Sequence, residues 1–140
     1  MSVQLIPFNN HDHRSQVIAL WEKVFGYETD HNAPALVIDK KLAAHDDLFF
    51  VAVQGDELVG TVMAGYDGHR GWIYSLAVHP EHRNQSIGSK LVDFAEKQLK
   101  TLNCMKVNLQ IMAGNESVQH FYETIGYAVE ERISMGKRLT

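Results

Sequence analysis

Apolar and polar positions change period several times along the chain, and each change marks an element. Val3, Leu5 and Ile6 suggest a short strand that ends at Pro7, which cannot donate to a ladder. Asn9, Asn10 and Asp12 are helix-cap residue types. Behind them Val17, Leu20, Trp21, Val24 and Phe25 form one helical face, and Gly26 follows as a stop. A second helix is predicted from Pro34, with Val37, Ile38 and Leu42 as its apolar positions. The period then shifts. LFFVAV, residues 48–53, is an unbroken apolar run of strand length. QGDE turns the chain into LVGTVMAGY, so 48–66 reads as a hairpin. DGHRG connects this to WIYSLAV, residues 72–78, a strand apolar enough to be covered on both faces. Ile87, Leu91, Phe94, Ala95 and Leu102 return to helical spacing. Val107, Leu109 and Ile111 alternate like a strand. Val118, Phe121, Tyr122 and Ile125 make a helical stripe that Gly126 terminates, and Tyr127 to Met135 is a final strand candidate.

The predicted order is β-α-α-β-β-β-α-β-α-β. Strand, helix and strand across 72–112 should form a right-handed crossover with two parallel strands. The fold class is therefore α/β or α+β, with helices on both faces of the sheet. No repeat, low-complexity tract or linker interrupts it, and residues 1–140 read as one domain.

Composition narrows the function classes. The net charge of −4 gives no reason to expect nucleic acid as a partner. A single cysteine, Cys104, excludes an intramolecular disulfide and suits a reducing compartment. No apolar run reaches the ~18 residues a membrane helix needs, and MSVQLIPFNNHDHR has no apolar core of a signal peptide. A cytoplasmic protein without membrane contact is expected. The eight histidines include His11–His13 and His79–His82, which lack Cys or carboxylate partners at metal spacing, so no metal is expected.

The stretch HPEHRNQSIGSKL, residues 79–91, carries the most chemistry. Pro80 stops the preceding strand, and a helix begins near Ser86 or Ile87. A helix N-terminus presents unpaired N–H groups and about half a positive charge, which suits phosphate. Arg83 adds a charged fork, and the small residues at 84, 86 and 88 admit an anion to the backbone. The stretch is either a plain loop or a diphosphate cradle at the end of a strand.

LAVHPEHRNQSIGSKLVDFAEKQL resembles the acetyl-CoA-binding motif of the GNAT N-acetyltransferases: Arg or Gln, two residues, Gly, one residue, then Gly or Ala. That pattern falls on Arg83 to Gly88. NESVQHFYETIGY, residues 115–127, is similar to the family's second signature, and the loop GYDGHRG with the ending GKRL resembles its small bacterial YpeA-like subgroup. Ser86 stands where the family's first motif glycine is, and Asn84 at another frequent glycine position. A negative φ at Ser86 would leave its N–H usable; a positive one would strain it.

The resemblance implies the GNAT fold: a mixed, mostly antiparallel sheet with one splayed parallel pair. It implies acetyl-CoA as co-substrate, with the diphosphate on the backbone of Arg83, Asn84, Gln85, Ser86, Ile87, Gly88 and Ser89. It also implies the pantetheine arm along Leu76, Ala77 and Val78, with main-chain pairing to Leu76 and Val78. Asn108 and Gln110 face either the resulting cleft or solvent. Tyr122 matches the family's general acid; alternatively it is core. Asn115 caps its helix, contacts the cofactor arm, or both. The implied activity is transfer of acetyl to a primary amine of a small molecule or peptide by direct attack. The alternative is a non-catalytic acyl-CoA-binding sensor or partner-binding module. Homodimers are common in the family, and the sequence neither demands nor forbids one.

The general base is missing. Many family members place a glutamate where Trp72 stands, and an indole cannot accept a proton. Asp67, His69, Tyr74 and His79 are the nearby candidates, a water chain or an amine already deprotonated on binding could replace a base, and the sequence selects none. Cys104 reads as a small packed side chain, with no cysteine placed to carry an acyl group. Glu22, Glu28, Asp30 and His31 lie where the family's acceptor side is formed, or are simply solvated.

Overall fold

The computed structural model describes residues 2–26 and 30–140. The chain divides into two compact units, Met1–Gln110 and Ile111–Thr140.

The first unit is a five-stranded sheet in the order β1 (Gln4–Pro7), β2 (Phe49–Gln54), β3 (Glu57–Tyr66), β4 (Gly71–Val78), β5 (Val107–Asn108). The first four pair antiparallel, and β4 with β5 is the parallel pair. Three helices cover it: α1 (Asn10–Phe25), α2 (Pro34–Ala43) and α3 (Ile87–Thr101). Neighbouring residues of β3 show that they lie on opposite faces. Thr61 accepts a hydrogen bond from Trp21 of α1, while a Cβ at Gly60 would lie 2.9 Å from Leu91 of α3. On the α1 side Val17, Leu20, Trp21 and Ile38 pack with Phe49, Val51 and Met63. On the other side Ile87, Leu91, Val92, Ala95 and Leu99 of α3 are buried, and Phe94 meets Phe50 edge-on at 5.0 Å.

Local chemistry sets the boundaries. Asn9 caps α1 by accepting from the Asp12 N–H, and Gly26 ends it at φ +84. Pro34 opens α2, where its missing N–H costs nothing. α3 ends at Thr101, so Leu102 falls outside the stripe expected for it and is exposed, with Leu99 in the core instead. β5 is two residues long, although the alternation of Val107, Leu109 and Ile111 predicts a longer strand.

The second unit holds α4 (Glu116–Thr124), capped by Asn115 and closed by Gly126 at φ +105. The strand expected over Tyr127–Met135 does not form. Its alternating residues Val129, Ile133 and Met135 are 73%, 91% and 90% exposed. Alternation names the face a strand would bury; a strand also needs a neighbour to fill its ladder, and none pairs with this segment among the described residues.

Candidate active site

β4 carries the site, because one of its edges is half open. β5 pairs with Gly71 and Trp72 only, so no strand among the described residues pairs with 74–78 on that side. The His79 N–H donates to Val59 of β3. Main-chain groups alternate along a strand, so Ala77 also points to β3, while Leu76 and Val78 turn theirs to the open edge. This refines the expectation for 76–78: Leu76 and Val78 offer backbone groups, and Ala77 puts its side chain in the core.

A bulge aims this edge. Between Thr61/Ala77 and Met63/Tyr74 the register shifts, and Ser75 adopts φ +53. A buried relay pins it. Trp21 Nε1 donates to Thr61 Oγ1, and Thr61 Oγ1 donates to the Ser75 carbonyl, both at 2.9 Å. Only a polar residue at 61 serves both bonds, which explains a fully buried threonine in an otherwise apolar strand.

Beyond Val78 the chain makes a short 3-10 turn, Pro80–His82, and enters the loop. Asn84 and Ser86 sit at φ +64 and +62. These are the left-handed positions where the sequence departs from glycine, and Ser86 takes the strained option of the two foreseen. Left-handed backbone costs a residue with a Cβ roughly 1–2 kcal/mol, least for Asn. Ser86 makes no side-chain cap to α3, so no capping hydroxyl occupies the first-turn N–H groups of Ile87, Gly88 and Ser89. Ser89 instead turns its hydroxyl back to the Ser86 carbonyl at 3.0 Å. Arg83, Asn84, Gln85 and Ser86 are exposed, while the Ile87 side chain is buried and anchors the helix start. An exposed, positive, uncapped helix end beside an open strand edge fits a diphosphate followed by an extended amide-bearing arm.

The first half of β4 borders an open cleft of about 620 Å³, lined among others by Asp46, Tyr66, Asp67, Trp72, Tyr74 and Gln110. Gln110 is exposed and borders this cleft, which lies beside the first half of β4 and not beside 76–78. Asp67 is held by its own turn. Its Oδ1 accepts from the N–H groups of His69 and Arg70 at 2.7 Å each, and Oδ2 accepts from Trp72 Nε1 at 3.1 Å. The Arg70 N–H, then the Trp72 indole, then the His69 N–H hold its carboxyl down at about 2. An acid that strong is a poor base, which removes Asp67 from the base candidates. His79 uses Nδ1 to accept from the Glu81 N–H, and His69 lies exposed in its turn.

Lys41 is the residue that sequence reasoning missed. It lies on α2 one face along from Pro34 and Ile38, at i, i+4 and i+7, so helical spacing alone placed it inward. Its side chain is 6% exposed. Nζ donates to Asp46 Oδ2 and to the Tyr74 hydroxyl, each at 2.7 Å, and to the Ala64 carbonyl. All three ammonium protons are therefore used.

In the second unit Asn115 Oδ1 accepts from the Val118 N–H at 3.3 Å, so capping holds. Tyr122 is 6% exposed and packs edge-on with Phe121 and Tyr127. Burial pushes its phenol up to about 12. Among the other acceptor-side candidates, Glu22 lies half-buried on α1 and His31 is exposed in the short turn Asp30–Asn32. Glu28 lies outside the described residues. Among the described residues no three His, Cys, Asp or Glu side chains gather as metal ligands, and no helix is long and apolar enough to cross a membrane.

Comparison with known proteins identifies the family and the fold. The sequence profile of the acetyltransferase (GNAT) family matches residues 14–127. An acetyltransferase of Sodalis glossinidius is 40% identical over 130 residues, covering 92% of this chain and 91% of its own. One from Pectobacterium atrosepticum is 42% identical over 123 residues, covering 88% and 86%. Among solved structures, the PaiA N-acetyltransferase of Thermoplasma acidophilum in complex with coenzyme A has a TM-score of 0.80 at 18% identity, covering 95% of this chain and 94% of that one. The aminoglycoside acetyltransferase AAC(6')-Iy with a bisubstrate analogue has a TM-score of 0.79 at 14% identity, with both chains covered in full. At those identities the two structures speak for the fold, and the sequence relatives speak for the family. The chain belongs to the GNAT acetyltransferase family.

Proposed function

We propose that this protein is an acetyl-CoA-dependent N-acetyltransferase acting on a primary amine by direct attack, and that both units form one catalytic domain, as the family match across 14–127 supports. The observation that carries it is the open edge of β4 at Leu76 and Val78 leading into a left-handed loop and an uncapped helix end. When bound, acetyl-CoA supplies a thioester whose acetyl group passes to the amine with release of a thiol. The first-turn amides of α3 and Arg83 hold the diphosphate. Leu76 and Val78 pair with the arm and offer an N–H to the carbonyl as charge develops on its oxygen. Tyr122 keeps its proton at every physiological pH and donates a hydrogen bond to the departing sulfur. With the phenol at about 12 against an ordinary thiol near 8.5, its proton stays mostly on oxygen; as the C–N bond forms and the C–S bond breaks, the nitrogen gives a proton to solvent and the departing thiolate takes one up from it. The nucleophile is an amine that is already neutral, since the charged groups of the cleft include no good base.

Thiol release across an amine panel tests this. Acetylation of any amine, with Arg83→Ala raising the KM for acetyl-CoA several-fold, supports it. One observation favours a second reading. An indole stands where many relatives have a glutamate, which suits a module that binds acyl-CoA without turning it over. Thermal stabilisation by acetyl-CoA with no thiol release for any amine would select that reading. The single free cysteine suits the cytoplasm, and a homodimer is testable by light scattering.

A further inference from the structure

The two carboxylates of the cleft differ in how their charge is met. Asp46 Oδ2 lies 2.7 Å from the Lys41 ammonium, and its Oδ1 accepts from the Leu48 N–H at 3.1 Å. Its charge is compensated in place. Asp67 is bonded only to uncharged donors, the N–H groups of His69 and Arg70 and the indole of Trp72. A carboxylate offers about four acceptor sites. Three are filled, and the one left is on Oδ2, beside the indole. The Arg70 guanidinium turns away to the His69 ring at 3.4 Å and does not neutralise it. Tyr66 and Trp72 share the cleft with this charge, and aromatic faces also attract cations, whereas the Tyr74 ring already has the Lys41 ammonium 5.1 Å from its centroid.

We propose that the cleft takes an acceptor with two amino groups held apart by a flexible chain: Asp67, with Trp72 and Tyr66, grips the protonated one, and the other is presented further along β4. It rests on the acetyl transfer proposed above. The division of roles follows from charge. An anion against the reacting nitrogen would keep it protonated and unreactive. A remote ammonium gains the attraction without that penalty. Trp72 and Leu76 are four residues apart, roughly 13 Å on an extended strand and less across the bulge at Ser75, a span that several methylenes cover.

Calorimetric titration of hexamethylenediamine and its neutral isostere hexane-1,6-diol into the protein saturated with coenzyme A tests this. The diamine should bind about ten-fold more tightly, equivalent to about 1.4 kcal/mol. Asp67→Asn should bring the two ligands within about two-fold, and Asp67→Glu should restore part of the gap. On the unmodified protein the advantage should shrink as salt rises, which does not depend on any variant folding. Equal binding of the diamine and the diol, an advantage indifferent to salt, or one that survives in Asp67→Asn overturns the proposal. Turnover is a separate readout. Asp67-dependent diamine binding without thiol release would refute acetyl transfer and leave the cleft's specificity standing.

Discussion

Ser86 shows how one residue can be right for the fold and costly for the loop. Its φ of +62 is a glycine conformation, and serine holds it because Ile87 behind it is locked in the core. Ser86→Gly should leave stability unchanged or raise it by up to about 1 kcal/mol, strain relief outweighing the entropy of glycine. It should also tighten coenzyme A binding. Weaker binding in that variant, measured by calorimetry, would mean the serine contributes a contact of its own. Tyr122 carries a pH signature. Its folded pKa of about 12 lies above the model-compound value of 10.0, so the stabilisation from burying a neutral phenol is complete below about pH 10. It fades as pH rises through 10 toward 12, on the order of 2 kcal/mol in all. Urea unfolding at neutral and alkaline pH should show this loss, and Tyr122→Phe should lack it. The same variant should lower kcat at least about ten-fold while acetyl-CoA affinity holds; equal loss of both would make the tyrosine purely structural.

At the scale of elements, sequence period was enough where two partners are consecutive. Both hairpins of β2, β3 and β4, the caps at Asn9 and Gly26, and the proline start of α2 all follow from neighbours in the chain. Features needing a distant partner were not legible. The Tyr127–Met135 alternation found no adjoining strand, and β5 is short because the residues after Asn108 leave β4. In the site, the loop could be read because its residues are contiguous. The Lys41–Asp46–Tyr74 network could not, since it joins α2, the following loop and β4, and its one signal was a lysine on the inner face of a helix. Lys41→Met should destabilise by about 2–4 kcal/mol, because it leaves Asp46 partly buried without its counter-charge. Asp46→Asn made with it should recover part of that loss, and two strictly additive effects in unfolding experiments would deny the coupling. Gly60 links core to loop. A Cβ there would meet Leu91 at 2.9 Å, the Ala77 carbonyl at 3.1 Å and Ile87 at 3.3 Å. Gly60→Ala should cost roughly 1–3 kcal/mol and displace the start of α3, weakening coenzyme A binding as well. Stability lost with binding intact would show that the helix end is not the binding element.

For the whole molecule, the arrangement is one strand serving two ends. β4 is paired with β3 on both sides of its bulge, pinned at that bulge by Trp21 and Thr61, and left open on the other side where β5 departs. Its far end feeds the loop proposed to hold the diphosphate, and its near half walls the cleft proposed for the acceptor. The family's chemistry needs such an edge, because the acyl group must meet backbone donors at one point while the rest of the carrier is held elsewhere. Amide-resolved NMR titration with coenzyme A tests this most directly. The largest shifts should fall on the amides of Ile87, Gly88 and Ser89 and of Leu76 and Val78, with Ala77 affected less. Shifts centred elsewhere, with those five amides silent at saturating ligand, would contradict it.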